Sequence, residues 1–230
     1  MSLRFFFNLA VLIYWFSFDS VANKHNSDIL SFHQNKGQLI DQDGRPRNDI
    51  LYYGTTPNFA FYLKPDGISY QLYKSVNSQN QIVLFPWEES NVEKKVFVQR
   101  LDLEWVNSVP GKVESSYPGS MKEHFYNMRR NVRDVTSFGE VMYREIYPGI
   151  DLRYYFSKGN LKYDYIVHPG GNYRKIQIRI KGVTGLSSRP DGSVSLNTPF
   201  GEIIEGAPEV YQDKKSRLPE PAFLSPLPVI

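Results

Sequence analysis

A chain of 230 residues with 41% hydrophobic and 22% charged residues carries enough apolar material for a sizeable core, which excludes wholesale disorder. Its net charge of +3 comes from scattered basic residues, a pattern without the electrostatic footprint of a nucleic-acid binder. There are no cysteines, which excludes a disulfide scaffold, thiolate catalysis and cysteine-ligated zinc.

The chain opens with MSLR, a positive start, followed by the apolar run FFFNLAVLIYWFSF at 5–18 and then Ser20-Val21-Ala22. Small residues two positions apart before Asn23 complete the layout of a secretory signal peptide. The apolar run is shorter than the roughly 20 residues a spanning helix requires. This layout predicts removal of 1–22, a secreted or outer-surface location, and no transmembrane span in the mature form.

Short, alternating, turn-bounded runs follow. Strands are predicted at 50–55, 58–63, 68–74, 81–85, 96–106, 140–145, 150–156, 161–168 and 175–181, then at 186–189, 193–198, 202–205 and 209–212. Lys64-Pro65-Asp66-Gly67 and Arg189-Pro190-Asp191-Gly192 read as turns, because proline presets φ and glycine accepts positive φ. In KIQIRIK, Ile176, Ile178 and Ile180 alternate with Gln177 and Arg179, as in a half-buried strand. The best helical candidate is 119–134, GSMKEHFYNMRRNVRD. Crossover helices, which a parallel sheet needs, are not visible. The expected class is therefore all-β: a largely antiparallel, β-sandwich-like domain over 23–212, as one unit or two packed halves. Pro219, Pro221, Pro226 and Pro228 break any ladder in 213–230, which reads as a Pro-rich tail or truncated end.

The densest group of chemically able side chains is YPGIDLRYYFSKGNLKYDYIVHPGG, 147–171. If Lys158-Gly159 form the loop, Tyr154 faces Tyr163, Leu152 faces Tyr165 and Ile150 faces Val167, which gives one apolar, aromatic face. On the other face Tyr155 meets Lys162, and Arg153 lies opposite Asp164. Asp151 and Asp164 then form a diagonal pair with Cα atoms about 7–8 Å apart, a spacing compatible with an inverting glycosidase at about 6.5–9.5 Å. A general acid requires a raised pKa, however, and Arg153 opposite Asp164 lowers it. Charge pairs of this kind belong mostly to solvated faces. His168 can reach Asp151 diagonally, and Tyr155 remains on the polar face as a sugar-stacking candidate. Asp151, Tyr155 and His168 are thus the weak candidates for ligand contact.

The four histidines, His25, His33, His124 and His168, have no metal-ligand spacing, and no GxSxG, P-loop or GxGxxG occurs. No cofactor, metal or catalytic residue is expected. Lys122, Arg129, Arg130 and Arg133 form a local basic cluster whose ordinary role is a solvated face.

YPGIDLRYY, GNLKYDYIVHPGG, KIQIRIKGVTGL, DGSVSLNTPFGEIIE and APEVYQ occur in order, after an opening FHQNKGQ at 32–38 and HFYN at 124–127. Together they resemble the domain of unknown function near the N-terminus of large secreted proteins of Bacteroidetes type. Those proteins carry SBBP β-propeller repeats and gliding-motility or secretion-sorting domains. The resemblance implies no catalytic residues. It implies that the repeated elements are fold determinants, among them Pro148, Gly149, Asp151, Arg153, Asp164, Pro169 and Gly170. The expected function is a non-catalytic extracellular module for adhesion, assembly or structure. Its partners would be other surface proteins, glycans or further domains of a longer parent, and not nucleic acid. The alternative is a carbohydrate-binding or glycan-processing domain.

Overall fold

The computed structural model describes residues 3–7, 30–56, 59–77, 82–83, 94–109, 111–126 and 131–212. Among the described residues sixteen strands run in chain order. They are β1 (Leu3–Phe7), β2 (Phe32–Gln34), β3 (Tyr52–Thr55), β4 (Phe59–Lys64), β5 (Gly67–Asn77), β6 (Ile82–Val83), β7 (Lys94–Trp105) and β8 (Val113–Tyr126). Then come β9 (Asn131–Tyr147), β10 (Ile150–Ser157), β11 (Asn160–Val167), β12 (Ile178–Lys181), β13 (Gly185–Ser188), β14 (Val194–Thr198), β15 (Gly201–Glu205) and β16 (Glu209–Gln212). One 3-10 turn, Tyr173–Lys175, precedes β12. The class is all-β and antiparallel, as the sequence predicts.

Thirteen strands form one sheet in the order β12-β7-β5-β4-β3-β2-β9-β10-β11-β1-β16, with β6 on β5 and β8 on β9. β13, β14 and β15 make a second, small sheet. Both sheets contribute to one core. Leu196 and Ile203 of the small sheet are buried in the same cluster as Phe61, Leu103, Tyr143, Leu152 and Tyr165 of the large one. Aromatic rings fill its centre edge to face, with Trp105–Tyr143 at 4.9 Å and Tyr143–Tyr154 at 6.2 Å between centroids. Two of the buried tyrosines find backbone acceptors inside: Tyr143 Oη donates to the Lys64 carbonyl at 2.9 Å and Tyr147 Oη to that of Val106 at 3.1 Å.

The predicted turns form. Pro65-Asp66 close the β4–β5 hairpin with Lys64 opposite Gly67, and Gly192 takes φ +82 beside its N–H bond to Arg189. Ile176 and Ile178 are buried as alternation requires, but Tyr173–Lys175 coil into the 3-10 turn, so the strand begins only at Ile178.

Residues 119–134 correct the sequence reading. Residues 119–126 and 131–134 are not helical: they belong to the paired strands β8 and β9, and 127–130, with Arg129 and Arg130, lie outside the described residues. The pattern there has no apolar helical stripe, and ladder pairing decides the conformation. Glu123 pairs with Val135 and Phe125 with Val132, while Lys122 Nζ donates to Thr136 Oγ1 at 2.7 Å. The register slips after Pro118 and after Glu123, which hides the period of two.

Of the predicted signal peptide, 1–22, residues 1–2 and 8–22 lie outside the described residues, as does the tail at 213–230. Leu3–Phe7, however, lies in the main sheet as β1, between β11 and β16. Among the described residues no helix is long and apolar enough to cross a membrane.

Candidate functional site: the polar face of the β10–β11 hairpin

The hairpin adopts the register read from sequence. Lys158 and Gly159 are its loop, both at positive φ (51° and 77°), and Ser157 faces Asn160. Two consecutive positive-φ residues match the twist of the flanking strands. Leu152 opposes Tyr165, Tyr154 opposes Tyr163, and all four are buried.

The other face departs from expectation. It was expected to be solvated, yet Asp151 is 3% exposed and Asp164 is 1% exposed. Buried carboxylates must have their hydrogen bonds supplied by the protein, and Asp151 shows how. Between the pairs Ile150–Tyr147 and Leu152–Tyr143 the β9–β10 ladder slips, so that Asp151 alone stands across from Arg144, Glu145 and Ile146. Glu145 takes φ +51, an unusual conformation for a residue with a side chain. Its N–H donates to Asp151 Oδ1 at 2.8 Å. Arg144 Nη1 donates to Oδ2 at 3.0 Å, and His168 Nε2 lies 3.0 Å from the same oxygen. Burial alone would raise the Asp151 pKa, but the Glu145 N–H, His168 and Arg144 together hold it below the ordinary carboxylate range. Arg144 also reaches Glu114 at 2.8 Å, so the bulge is tied to β8.

Arg153 does stand opposite Asp164 in the ladder, but its side chain pairs with Glu140 on β9 at 2.9 Å. Its guanidinium also lies 4.3 Å from the centroid of the Tyr155 ring. Tyr155 Oη donates to Asp164 Oδ1 at 3.2 Å. Burial, with the Asp164 charge added, pushes the Tyr155 hydroxyl up to about 12. One face of this ring is thus covered by Arg153.

At the base of the hairpin the two Pro-Gly turns interlock. Gly149 (φ +73) follows Pro148, Gly170 (φ +86) follows Pro169, and the His168 N–H donates to the Gly149 carbonyl at 2.9 Å. A Cβ on Gly171 would lie 2.5 Å from that carbonyl oxygen and 3.0 Å from the His168 oxygen. Gly171, the second glycine of the PGG element, has no room there for a side chain.

A carboxyl with a raised pKa does occur, at a residue not singled out from the sequence. Glu205, at the end of β15, accepts a hydrogen bond from Tyr163 Oη at 2.9 Å and so joins the small sheet to the large one. The residue as a whole is partly exposed, but its carboxyl lies close to Tyr70, Tyr154, Tyr163 and Tyr165, and burial pushes it up to about 7 against the pull of Tyr163. The available signal was period two: Glu205 shares a strand face with buried Ile203.

A half-open hollow of about 440 Å³ lies elsewhere, lined by Asp49, Lys64, Asp66, Asp102 and Glu104 among others. Burial would raise Asp102, but Arg100, Ser69 and Lys64 hold it down to about 2. No group of three or more metal-ligating side chains occurs among the described residues. His33 meets Glu123 at 2.9 Å, and His124 accepts the Asp134 N–H at 3.1 Å.

This all-β antiparallel architecture, with a motif-bearing hairpin inside its main sheet, defines the class of the protein. The model of the Domain of unknown function (DUF7948) family matches residues 32–220, and the chain belongs to that family. Two curated relatives are similar over a shorter stretch. They are the tRNA nuclease WapA of Bacillus subtilis (strain 168) and the tRNA3(Ser)-specific nuclease WapA of Bacillus spizizenii. Each is 24% identical over 76 residues, which is 33% of this chain and 3% of the relative. The chain therefore spans a very small part of these proteins. No solved structure matches it.

Proposed function

We propose that this chain is an exported, non-catalytic β-rich module of a secreted or surface-exposed bacterial protein, serving adhesion or assembly. The signal-like layout of 1–22 supports export. The sequence motifs support a Bacteroidetes-type parent with SBBP repeats and sorting domains. The partners that fit this role are other surface proteins and the remaining domains of that parent.

The observation that carries the non-catalytic reading is the occupation of Asp151. Both of its oxygens are engaged, by the Glu145 N–H on one side and by Arg144 and His168 on the other, and its pKa is lowered. A carboxylate held this way is a poor general acid, which requires a raised pKa. The activity in the names of the WapA relatives belongs to proteins of which this chain matches 3%, so transfer RNA serves as a control substrate in the test and not as the expected one.

A glycan-binding role is the second reading, favoured by exposed aromatic side chains on the strands. Tyr117 and Tyr126 on β8 are 74% and 63% exposed, and Tyr155 has one ring face stacked by Arg153. The test is glycan-array binding by the intact protein and by Tyr155→Ala and Tyr126→Ala variants. Retention of polysaccharide by the intact protein, lost in either variant, would replace assembly by glycan binding. Assembly predicts no retention.

A further inference from the structure

Away from the β10–β11 hairpin, a serine, a histidine and a glutamate stand in line. Phe32, the first residue of β2, is wholly buried, while Ser31 and His33 on either side of it are partly exposed. That alternation puts the serine and the histidine on one outward face. Ser31 Oγ lies 3.2 Å from His33 Nε2, and on the other side of the ring His33 Nδ1 lies 2.9 Å from Glu123 Oε1. Glu123 comes from β8. On β9, Ser137 stands opposite His33 and Val135 opposite Glu123, so the two side chains meet across that strand. The Tyr53 ring, opposite His33 on β3, is tilted 31° to the imidazole at 5.4 Å between centroids. A Cβ on Gly54 would lie 2.7 Å from the Ser31 carbonyl oxygen, so the backbone of Ser31 packs closely on β3. The side chains of His33 and Glu123 are 25% and 40% exposed, which leaves the group open to a reagent in solution.

A hydroxyl within reach of an imidazole, whose other nitrogen faces a carboxylate, is the arrangement that activates a nucleophile. The Glu123 carboxylate favours a proton on Nδ1, which leaves Nε2 to accept from the Ser31 hydroxyl. We infer that Ser31 is an acyl-acceptor site, on which an activated ester or thioester deposits its acyl group. Ser31 Oγ attacks the carbonyl carbon while its proton passes to His33 Nε2. The bond from that carbon to the leaving oxygen or sulfur then breaks, and His33 gives the proton to the leaving group. An ester forms at Ser31, an alcohol or thiol departs, and nothing is oxidised or reduced. Glu123 does not touch the acyl group and acts as a positioning residue for His33. The inference goes beyond the assembly role proposed above and is compatible with it. The step is a single modification of the chain, and the clustered carboxylates of the hairpin take no part.

The test labels the folded full chain with a biotinylated alkyl fluorophosphonate, which marks an activated serine by forming a P–O bond and expelling fluoride. The expected result is label on the peptide carrying Ser31, read by mass spectrometry, and its loss in Ser31→Ala. His33→Ala should slow labelling by about 100-fold, within the range a positioned base supplies. Glu123→Gln should slow it as well, and Glu123→Asp should recover part of the rate, with the folded fraction of every variant followed by circular dichroism. The ester p-nitrophenyl acetate then tests the acyl group itself: acetyl should appear on Ser31 of the intact protein and not on that of His33→Ala. An intact, folded protein left unlabelled at Ser31 overturns the site. Labelling of Ser31 at an unchanged rate in folded His33→Ala, or in protein unfolded by urea, overturns it equally.

Discussion

The carboxylate of Asp151 accepts the backbone N–H of Glu145 at 2.8 Å, at the point where the β9–β10 ladder slips and three residues face one. A bulge leaves backbone donors without ladder partners, and here an aspartate on the opposing strand takes one up. Pro148-Gly149 turns the chain, Ile150 enters the core, and Asp151 holds the bulge behind it. The PGID motif is legible as one device, in which the aspartate serves the backbone of the preceding strand.

Replacing Asp151 therefore acts on stability. Asp151→Ala leaves the Glu145 N–H without its acceptor and Arg144 with Glu114 alone, and is expected to destabilise the fold by about 1–3 kcal/mol, as for a buried donor left unsatisfied. Asp151→Asn keeps an acceptor for the Glu145 N–H and should cost less. Urea unfolding of the three proteins checks the order.

Glu205 sets the pH dependence on the alkaline side. Its folded pKa of about 7 lies above the ordinary value of 4.5, so the folded state holds the proton more tightly. The resulting stability is fully present below about pH 4.5 and is lost as pH rises through 7. Asp102 acts in the opposite direction: with its folded pKa lowered to about 2, it contributes stability above its ordinary 3.8 that is lost as pH falls toward 2. Glu205→Gln should flatten the slope between pH 4.5 and 7 and raise the melting temperature at pH 8. Thermal melts across that range measure both effects.

The glycines of the hairpin separate steric from conformational cost. Gly171→Ala drives a Cβ to 2.5 Å from the Gly149 carbonyl oxygen, where backbone must move, and should cost about 2 kcal/mol or more. Gly159→Ala meets nothing within 4 Å and carries only the strain of φ +77, roughly 1 kcal/mol. Denaturation midpoints should therefore fall further for Gly171→Ala.

The hairpin register was legible because aromatic pairs and a period of two act within twenty residues, and sliding the loop by one would mismatch every pair. The burial of its polar face was not legible. Alternation tells which residues share a face, but not whether something covers it. The β8–β9 arm was misread for a local reason: its register slips after Pro118 and after Glu123 erase the alternation that marks a strand. Glu205 could have been found from its spacing to Ile203. Its partner, Tyr163, is 42 residues away on another sheet, and no local pattern reports that pairing.

The central claim is that the clustered polar groups of the hairpin hold a fold and perform no reaction. It is tested most directly by incubating the purified protein and its Asp151→Asn variant with bacterial and plant polysaccharides and with transfer RNA, while product release and folded fraction are followed together. The account predicts no product from either protein and a lower unfolding midpoint for the variant. Product released by the intact protein and lost in a fully folded Asp151→Asn variant would contradict it.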